Sequence, residues 1–450
     1  MARIWLKNPL AVVVDDATDA SGGIVIENTR IAELLGAGEG PSAPVDAVFD
    51  ASGHVVLPGL INTHHHFYQT LTRACPAALN RELFPWLKSL YPIWAGLSEE
   101  MIHVATRLAA AELLLSGCTL AADHHYIFPE AARQALDIQV DAISQTGIRA
   151  TLTRGSMSLG EDEGGLPPRN TIQQEDVILA DCERVIDSYH DPAEGSMLQI
   201  ALAPCSPFSV SEELMQQSAA LARQKNVRLH THLAETDDET DFCVALFGLR
   251  PVDYLARVGW LADDVWLAHG IHFNSREMSR LGAAGVGISH CPSSNMLLGS
   301  GQCPVRELEQ AGCPVGLGVD GSASCDSSNM IQEVRQALLL QRLRYGSAAI
   351  THFDALRWAT KGSAACLGRT DVGEISPGKQ ADLALFSLDE PRFSGSGDPL
   401  AALVLCGAHR ADYVMVAGQW KVEQGRLAGV DQKALLAEHA KNAQLLLNTV

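Results

Sequence analysis

The sequence predicts an α/β fold, a (β/α)8 or TIM barrel with a small flanking β-sandwich formed by the N- and C-terminal segments. Between residues 56 and 372, short apolar segments alternate with longer helical patterns such as 99–116 and 130–146. Such alternation indicates parallel strands joined by helices, and eight units in about 300 residues fit a barrel. The eight predicted strands are 55–61, 118–123, 147–152, 197–203, 227–232, 265–269, 285–290 and 315–320.

Both ends of the chain contain short segments with the character of strands, and those at 11–14 and 23–26 are runs of β-branched residues. These segments occupy 11–14, 23–26 and 47–49 near one end and 381–386, 413–417 and 420–422 near the other. Each group is too small to bury a core alone, so we predict that the two groups combine. The expected domains are a β-sandwich of residues 1–55 and 373–450 and a catalytic barrel of residues 56–372.

A doubly wound open sheet is the alternative architecture for the middle of the chain. That fold places a glycine-rich phosphate-binding turn after its first strand. Here the first predicted strand is followed by Asn62, Thr63 and three histidines, which do not form a phosphate cradle. The segment 156–175, after the third strand, is expected to be an irregular loop that is either a lid or a mobile surface insertion.

Composition narrows the classes of partner. The 53 acidic and 33 basic residues give a formal net charge of −20, which argues against binding to nucleic acid or to anionic membranes. A small neutral or cationic substrate fits better. We find no secretory signal and no apolar run near the ~20 residues of a membrane helix. The 11 cysteines include no CxxC pair, which predicts reduced thiols in a cytoplasmic protein.

Side chains that can bind a metal follow the predicted strands at their C-terminal ends. In a parallel barrel these ends share one rim, where active sites lie. Imidazole nitrogens with a carboxylate are a donor set for Zn²⁺ or Fe²⁺, so the pattern predicts a metal site. The strand-end residues are His64, His66, His230, His232, His269 and Asp320.

The two histidines of the fifth strand are expected to differ in role. His230 and His232 can both face the barrel interior, but His232 is nearer the rim. Glu235 follows it by three residues on the adjoining loop. We therefore predict that His232 is a ligand, that Glu235 is a general acid and base, and that His230 packs or supports a ligand from behind.

Five motifs occupy the predicted strand ends: LPGLINTHHH at 57–66, LHTHLAE at 229–235, HG at 269–270, HCPSSN at 290–295 and GVDG at 318–321. Together they resemble the amidohydrolase superfamily, and within it the branch of deaminases and chlorohydrolases. The motif GEISPGKQADL at 373–383 is similar to that branch's return into the β-sandwich. HHHFYQTLTR at 64–73 with DHHY at 123–126 most resembles the 8-oxoguanine deaminases. The resemblance covers nearly the whole chain.

The resemblance implies one divalent metal per chain, Zn²⁺ or alternatively Fe²⁺. Two-metal members of the superfamily carry a carboxylated lysine on the fourth strand, whereas 196–204 here is SMLQIALAP, which favours a single metal. The metal would lower the pKa of a bound water, and hydroxide would attack the ring carbon that carries the amino group. The implied ligands are His64, His66, His232 and Asp320.

The resemblance also implies roles for the residues around that water. His269 would orient it, and Asp320 would share its proton. Glu235 would protonate the neighbouring ring nitrogen before the amine leaves as ammonia.

Candidate substrate contacts lie on loops after three strands. Arg73 is favoured because an oxidised purine offers acceptors that suit a guanidinium. Trp86 and Trp94 either stack on the base or belong to the core. The candidate contacts are Gln69, Arg73, His125, Tyr126 and Cys205.

Several substrates stay open at this stage. The leading expectation is deamination of 8-oxoguanine to urate, followed by guanine or isocytosine, an s-triazine amino- or chlorohydrolase, and adenosine or S-adenosylhomocysteine deamination. Glu235 argues against strict chlorohydrolysis, because chloride leaves without a proton. A silent scaffold protein would be expected to have lost a ligand, and none is missing. Superfamily members often assemble, so we expect a homo-oligomer whose other partners are a small heterocycle and water.

Overall fold

The structure, a computed structural model, describes residues 3–15 and 17–448. Its N-terminal part forms six short strands, four of which make one sheet in the order β4-β3-β1-β5. The bounds are β1 Arg3–Lys7, β2 Ala11–Val12, β3 Gly23–Glu27, β4 Arg30–Leu35, β5 Ala47–Asp50 and β6 His54–Pro58. Strands β3 and β4 are antiparallel neighbours, and β5 runs parallel to β1.

Eight parallel strands follow and form the barrel, each hydrogen-bonded to the next along the chain. Their bounds are β7 Leu60–Asn62, β8 Cys118–His125, β9 Arg149–Ser156, β10 Leu198–Pro204, β11 Leu229–Leu233, β12 Val265–His269, β13 Gly287–His290 and β14 Val315–Leu317. The ring closes between the first and the last of them, where the Thr63 amide donates to the Leu317 carbonyl at 2.9 Å. The predicted barrel is confirmed.

The helices before residue 312 connect the barrel strands, and those from residue 330 onward follow the last barrel strand. Their bounds are α1 Leu83–Trp94, α2 Glu99–Leu115, α3 Ala135–Thr146, α4 Glu175–Tyr189, α5 Glu212–Lys225, α6 Asp237–Phe247, α7 Pro251–Arg257, α8 Ser275–Ala283, α9 Pro292–Leu297, α10 Val305–Ala311, α11 Met330–Tyr345, α12 His352–Arg357, α13 Ser363–Cys366, α14 Pro399–Leu405 and α15 Gln432–Leu447. In the described ranges 3–15 and 17–448, no helix has the length and apolar character needed to cross a bilayer.

The second sheet of the sandwich joins both ends of the chain, as predicted. Its C-terminal strands are β15 Leu383–Ser387, β16 Tyr413–Val416, β17 Gln419–Glu423 and β18 Arg426–Leu427. β15 pairs antiparallel with β6, and β2 adds parallel to β6. Leu6 and Ile24 of the first sheet pack with Val56 and Met415 of the second in one buried cluster. This shared core explains why neither end could form the sandwich alone.

The first predicted barrel strand, 55–61, is two strands in the structure. The chain turns at Gly59: β6 belongs to the sandwich and β7 to the barrel. Gly59 donates to the Asp382 carbonyl, and a side chain there would come within 2.1 Å of Thr119 Oγ1. The prediction missed this division because both halves are equally apolar.

Other boundaries differ for local reasons. The predicted strand 147–152 begins only at Arg149, since Gly147 has φ of 72° and ends α3.

Strands β1 and β4 and the helix α15 were not predicted. α15 lies in the segment predicted as sandwich but packs on α2, and His439 bonds to Thr70 at 3.1 Å. The division into two domains stays a prediction.

Candidate metal centre

The four predicted ligands converge at the C-terminal rim of the barrel. His64 and His66 follow β7, His232 lies in β11, and Asp320 follows β14 by three residues. The Nε2 atoms of His64 and His66 each lie 3.3 Å from Asp320 Oδ1. His232 Nε2 lies 3.3 Å from His66 Nε2. Four donor atoms therefore surround one point.

Backbone carbonyls fix the tautomers of two of these rings. His66 Nδ1 donates to the His124 carbonyl at 2.6 Å, and His232 Nδ1 donates to the Cys205 carbonyl at 2.7 Å. A carbonyl only accepts, so the proton of each ring is on Nδ1. The Nε2 lone pairs are left facing the common point, as in metal sites whose ligands are held from behind.

His230 fixes the third ring. Its Nδ1 donates to the Trp266 carbonyl at 2.8 Å, so its Nε2 is an acceptor and receives the Nδ1 proton of His64 at 2.8 Å. His64 Nε2 is then buried with no hydrogen-bond partner among the described residues. The predicted supporting role of His230 agrees with this geometry.

The donor chemistry fits a divalent cation. Burial lowers the pKa of both His64 and His232, which favours the neutral rings that a metal requires. Asp320 is positioned through Oδ2, which accepts from Ser294 at 2.6 Å and Ser324 at 3.0 Å. An unpaired ring nitrogen beside a carboxylate oxygen and two further imidazole nitrogens is a site suited to such an ion.

Glu235 and His269 form a pair beside the ligands. Glu235 Oε2 lies 3.4 Å from His269 Nε2, and Ser300 donates to its other oxygen at 3.3 Å. Burial raises the pKa of Glu235. For His269, burial alone would lower the pKa, but the charges of Glu235 and Asp320 raise it above its usual value. A proton can therefore be held or exchanged within this pair.

The backbone is strained where these side chains enter the site. Ala234, His269 and Asp320 have φ values of 53°, 71° and 65°, in the left-handed region that L-residues rarely adopt. Each follows or ends a barrel strand, so the strain turns the chain and directs the functional groups inward. Asn295 Oδ1 accepts from His269 Nδ1 at 3.0 Å and directs its Nε2 toward Glu235.

A cavity lies against the candidate metal centre. Three of the predicted substrate residues line it, together with one of the two predicted stacking residues. The lining comprises His66, Gln69, Leu83, Trp86, Leu87, Tyr91, Tyr126, Cys205, Phe208, His232, Glu235, His269, Leu298, Asp320 and Ser324. The predicted contacts Gln69, Tyr126 and Cys205 are therefore brought to the site.

Arg73, His125 and Trp94 are not brought to the cavity. The Arg73 guanidinium is paired with Glu112 and with Ser322, and His125 Nε2 donates to the Ile127 carbonyl at 2.7 Å. Trp94 is core and donates to Thr72. The substrate contact of Arg73 stays a prediction, and in the structure its charge is paired with a carboxylate on α2.

Apart from Trp86, the residues with which α1 lines the cavity were not predicted from the sequence. Leu83, Leu87 and Tyr91 recur every four residues and line the cavity with Trp86. This spacing gives one helix face, but the same pattern is typical of core packing. The loop 156–175 rests on the segment after β10, where the Leu166 amide donates to the Phe208 carbonyl at 3.3 Å. Its role as a lid stays a prediction.

The chain is similar to known deaminases and to a zinc-bound hydrolase. The chain is 63% identical over 447 residues to an 8-oxoguanine deaminase of Pseudomonas aeruginosa, covering 99% of this chain and 100% of the relative. It is 35% identical to an isoxanthopterin deaminase of an unknown prokaryotic organism, covering 90% and 89%. A crystal structure of an atrazine chlorohydrolase from Arthrobacter aurescens complexed with zinc matches with a TM-score of 0.92 and 33% identity, covering 99% and 100%.

The family assignment follows from a match over most of the chain. Residues 55–421 match the model of the amidohydrolase family. That span begins in β6 and ends in β17, so it contains the whole barrel and the centre described above. The chain belongs to the amidohydrolase family.

Proposed function

We propose that this protein is a metal-dependent aminohydrolase that converts 8-oxoguanine to urate and ammonia. The observation that carries the proposal is the position of Glu235, whose buried carboxyl lines the same cavity as His66, His232 and Asp320. A carboxyl in that place can deliver the proton with which an amine leaves as ammonia. The 63% identity to an 8-oxoguanine deaminase supports the oxidised purine as substrate.

The proposed cofactor is one Zn²⁺, with Fe²⁺ as the alternative, held by His64, His66, His232 and Asp320. When bound there, the cation lowers the pKa of a coordinated water toward neutrality. The zinc in the similar atrazine chlorohydrolase structure supports this choice.

Glu235 is the proposed proton carrier. Burial raises its pKa, so the carboxyl can hold a proton in the folded enzyme. We assign it to protonate the ring nitrogen beside the carbon that carries the amino group, which makes that carbon more electrophilic. The water oxygen then bonds to that carbon. Glu235, now a carboxylate, takes the proton of the new hydroxyl and delivers it to the amino nitrogen, so that the carbon–nitrogen bond breaks and ammonia leaves; the water proton held by Asp320 then returns to Glu235. His269, whose Nε2 lies 3.4 Å from Glu235 Oε2, orients the water. Asp320 accepts a proton from this water.

The cavity wall suits a flat ring with a few polar edges. Trp86 and Leu87 offer apolar surface, and Trp86 is fixed by donating to the Ala323 carbonyl at 3.2 Å. Gln69, Tyr126 and Cys205 are the proposed polar contacts. Burial raises the pKa of Cys205 to about 12, so this thiol is neutral and offers a weak hydrogen bond rather than a charge.

A second candidate is hydrolysis of an s-triazine ring. The atrazine chlorohydrolase structure favours it, because its fold superposes on 99% of this chain. The two functions differ in the leaving group, since chloride needs no proton. Ammonia release from the zinc-loaded protein should therefore be measured with 8-oxoguanine, guanine, isocytosine, adenosine and an aminotriazine. We expect the highest kcat/KM for 8-oxoguanine; a higher value for any other ring would contradict the proposed substrate.

Glu235→Gln tests the mechanism. The amide keeps the size of the side chain but cannot carry the proton, so we expect kcat to fall at least 100-fold, on the order of the contribution of general acid–base groups. Bound zinc should stay at one per chain. Glu277→Gln is the matched control, since Glu277 is buried outside the cavity and is ion-paired with Arg250. Retained turnover in a folded Glu235→Gln protein would refute the assigned role.

We further propose a cytoplasmic homo-oligomer. All 11 cysteines are unpaired and ten are buried, as is typical of a reducing compartment. Exposed apolar side chains on the adjacent helices α9, α11 and α12 support self-association: Leu297, Leu343 and Phe353 are 59%, 86% and 52% exposed. Light scattering after size-exclusion chromatography tests the assembly, and a monomeric mass would contradict it.

A further inference from the structure

The wall that α1 contributes to the cavity is apolar except at one atom. Leu83, Trp86 and Leu87 present carbon surface, while Tyr91 carries a hydroxyl. That hydroxyl is buried and has no hydrogen-bond partner among residues 3–15 and 17–448. A buried unpaired hydroxyl is unfavourable unless something else supplies the missing bond. In a wall of a ligand cavity, the missing partner is expected on the ligand.

Tyr91 differs from the other two tyrosines near the cavity. The hydroxyl of Tyr68 is also buried without a partner in the described ranges, but Tyr68 is not among the residues that line the cavity. Tyr126 lies at the metal end, with its ring 5.2 Å from that of His66. Tyr91 is therefore the tyrosine that lines the cavity and whose hydroxyl is buried without a partner among the described residues.

The Tyr91 ring is held in place. It packs edge-on against Trp94, with ring centroids 6.0 Å apart, and Trp94 itself donates to Thr72 at 3.2 Å. Pro92 follows Tyr91 inside α1, and a proline there constrains the backbone of the residue before it. Burial raises the pKa of Tyr91, so the phenol keeps its proton and can donate. A fixed donor is suited to select among substrates.

We propose that the Tyr91 hydroxyl donates a hydrogen bond to the exocyclic oxygen at position 8 of the substrate, the oxygen that distinguishes the oxidised purine from guanine. This inference rests on the proposed function. The purine carbon that loses its amino group is C2, which must lie beside Glu235 and the cation ligands. C8 is at the opposite end of the bicyclic ring, and we place it against the α1 wall, which lines the cavity but supplies none of the cation ligands.

Other cavity groups are less suited to this contact. Gln69 Oε1 is an acceptor that already receives the Ala323 amide at 3.3 Å, and Cys205 is a weak donor. A site built to pair one substrate oxygen discriminates strongly against an analogue that lacks it, because its buried donor then stays unpaired. Tyr91 thus explains how an otherwise apolar wall could prefer an oxidised ring.

The test compares kcat/KM for 8-oxoguanine and guanine in the zinc-loaded wild type and in Tyr91→Phe. We expect the variant to lose about 10- to 100-fold with 8-oxoguanine, the effect of removing one partner of a buried hydrogen bond. With guanine it should change less than about threefold, since no oxygen is lost from the contact. Tyr254→Phe is the matched control. Its hydroxyl is also buried without a partner, but it packs on Phe247 outside the cavity.

The outcomes separate this inference from the proposed function. Equal losses with both rings, or no loss with either, would overturn the role of Tyr91 while leaving the activity intact. Absence of turnover with both rings in the wild type would overturn the proposed function and the inference with it. If Tyr91→Phe does not fold, the wild type still decides: equal kcat/KM for the two rings would refute a fixed donor for the position-8 oxygen.

Discussion

Glu239 is a buried carboxyl behind Glu235, and its replacement by glutamine should change how stability depends on pH. Its Oε2 accepts from the Glu235 amide at 3.0 Å, and its Oε1 has no partner in the described part of the chain. Burial raises the pKa from 4.5 to about 7, although the backbone hydrogen bonds oppose that rise. The folded protein should therefore keep this group protonated in mildly acidic solution.

The direction in which stability changes with pH follows from the number of protons bound by the folded and unfolded states. Between pH 4.5 and about 7 the folded state holds a proton that the unfolded state has released, so the free energy of unfolding falls as pH rises. The contribution is complete below 4.5 and lost above about 7. It amounts to about 3 kcal/mol over that range, at roughly 1.36 kcal/mol per pH unit. The unfolding entropy is about 2.1 cal/mol/K per residue, so in a chain of 450 residues this free energy corresponds to a Tm change of about 3 °C.

Thermal unfolding of zinc-loaded protein at pH 5 and pH 8 measures this effect. Glu239→Gln carries no charge at either pH, so its Tm relative to wild type should rise by about 3 °C between the two. Glu277→Gln is the control, because it removes an ion pair with Arg250 at 2.8 Å and should lower Tm at both pH values. The reasoning is refuted if the Glu239→Gln difference is the same at pH 5 and pH 8.

Two further substitutions probe the centre and the cavity. His230→Leu removes the hydrogen-bond acceptor of His64 Nδ1, so it should weaken zinc binding by about 10- to 100-fold. The affinity is measured by competition with a chelator, and an unchanged affinity would show that the His64 ring does not need His230 for its orientation. Gly321→Ala would place a methyl group 1.8 Å from Gln69 Oε1, so it should displace Gln69 and lower kcat/KM while Tm changes by less than about 2 °C. A large fall in Tm would instead indicate a backbone clash.

The ligand set could be predicted because it depends on strand direction alone. His64 and Asp320 are 256 positions apart, yet parallel strands bring their ends to one rim whatever lies between them. The positions of His230 and His232 along one strand were enough to predict that His232 is a ligand and that His230 supports one. No side-chain geometry was needed for either inference. Both stay predictions, and in the structure the four predicted ligands lie together at one rim.

The substrate contacts could not be predicted with the same success because they depend on partners distant in sequence. Arg73 has the right chemistry for a purine edge, but Glu112 on α2 takes its charge. Tyr91 has the spacing of an ordinary core residue, and only the fold of the segment before α1 places it on a cavity. The division of β6 from β7 at Gly59 was hidden for a similar reason, since both strands are buried.

The predicted metal ligands and the predicted substrate contacts belong to two different parts of the site. The predicted metal ligands are held by strand ends and by backbone carbonyls of other barrel segments, which the fold itself supplies. The cavity wall comes from α1 and from loops, whose side chains can change without altering the barrel. A triazine hydrolase with 33% identity therefore shares the fold at a TM-score of 0.92 while acting on another ring. Specificity in this family is accordingly expected to change at positions such as Tyr91 before it changes at His64 or Asp320.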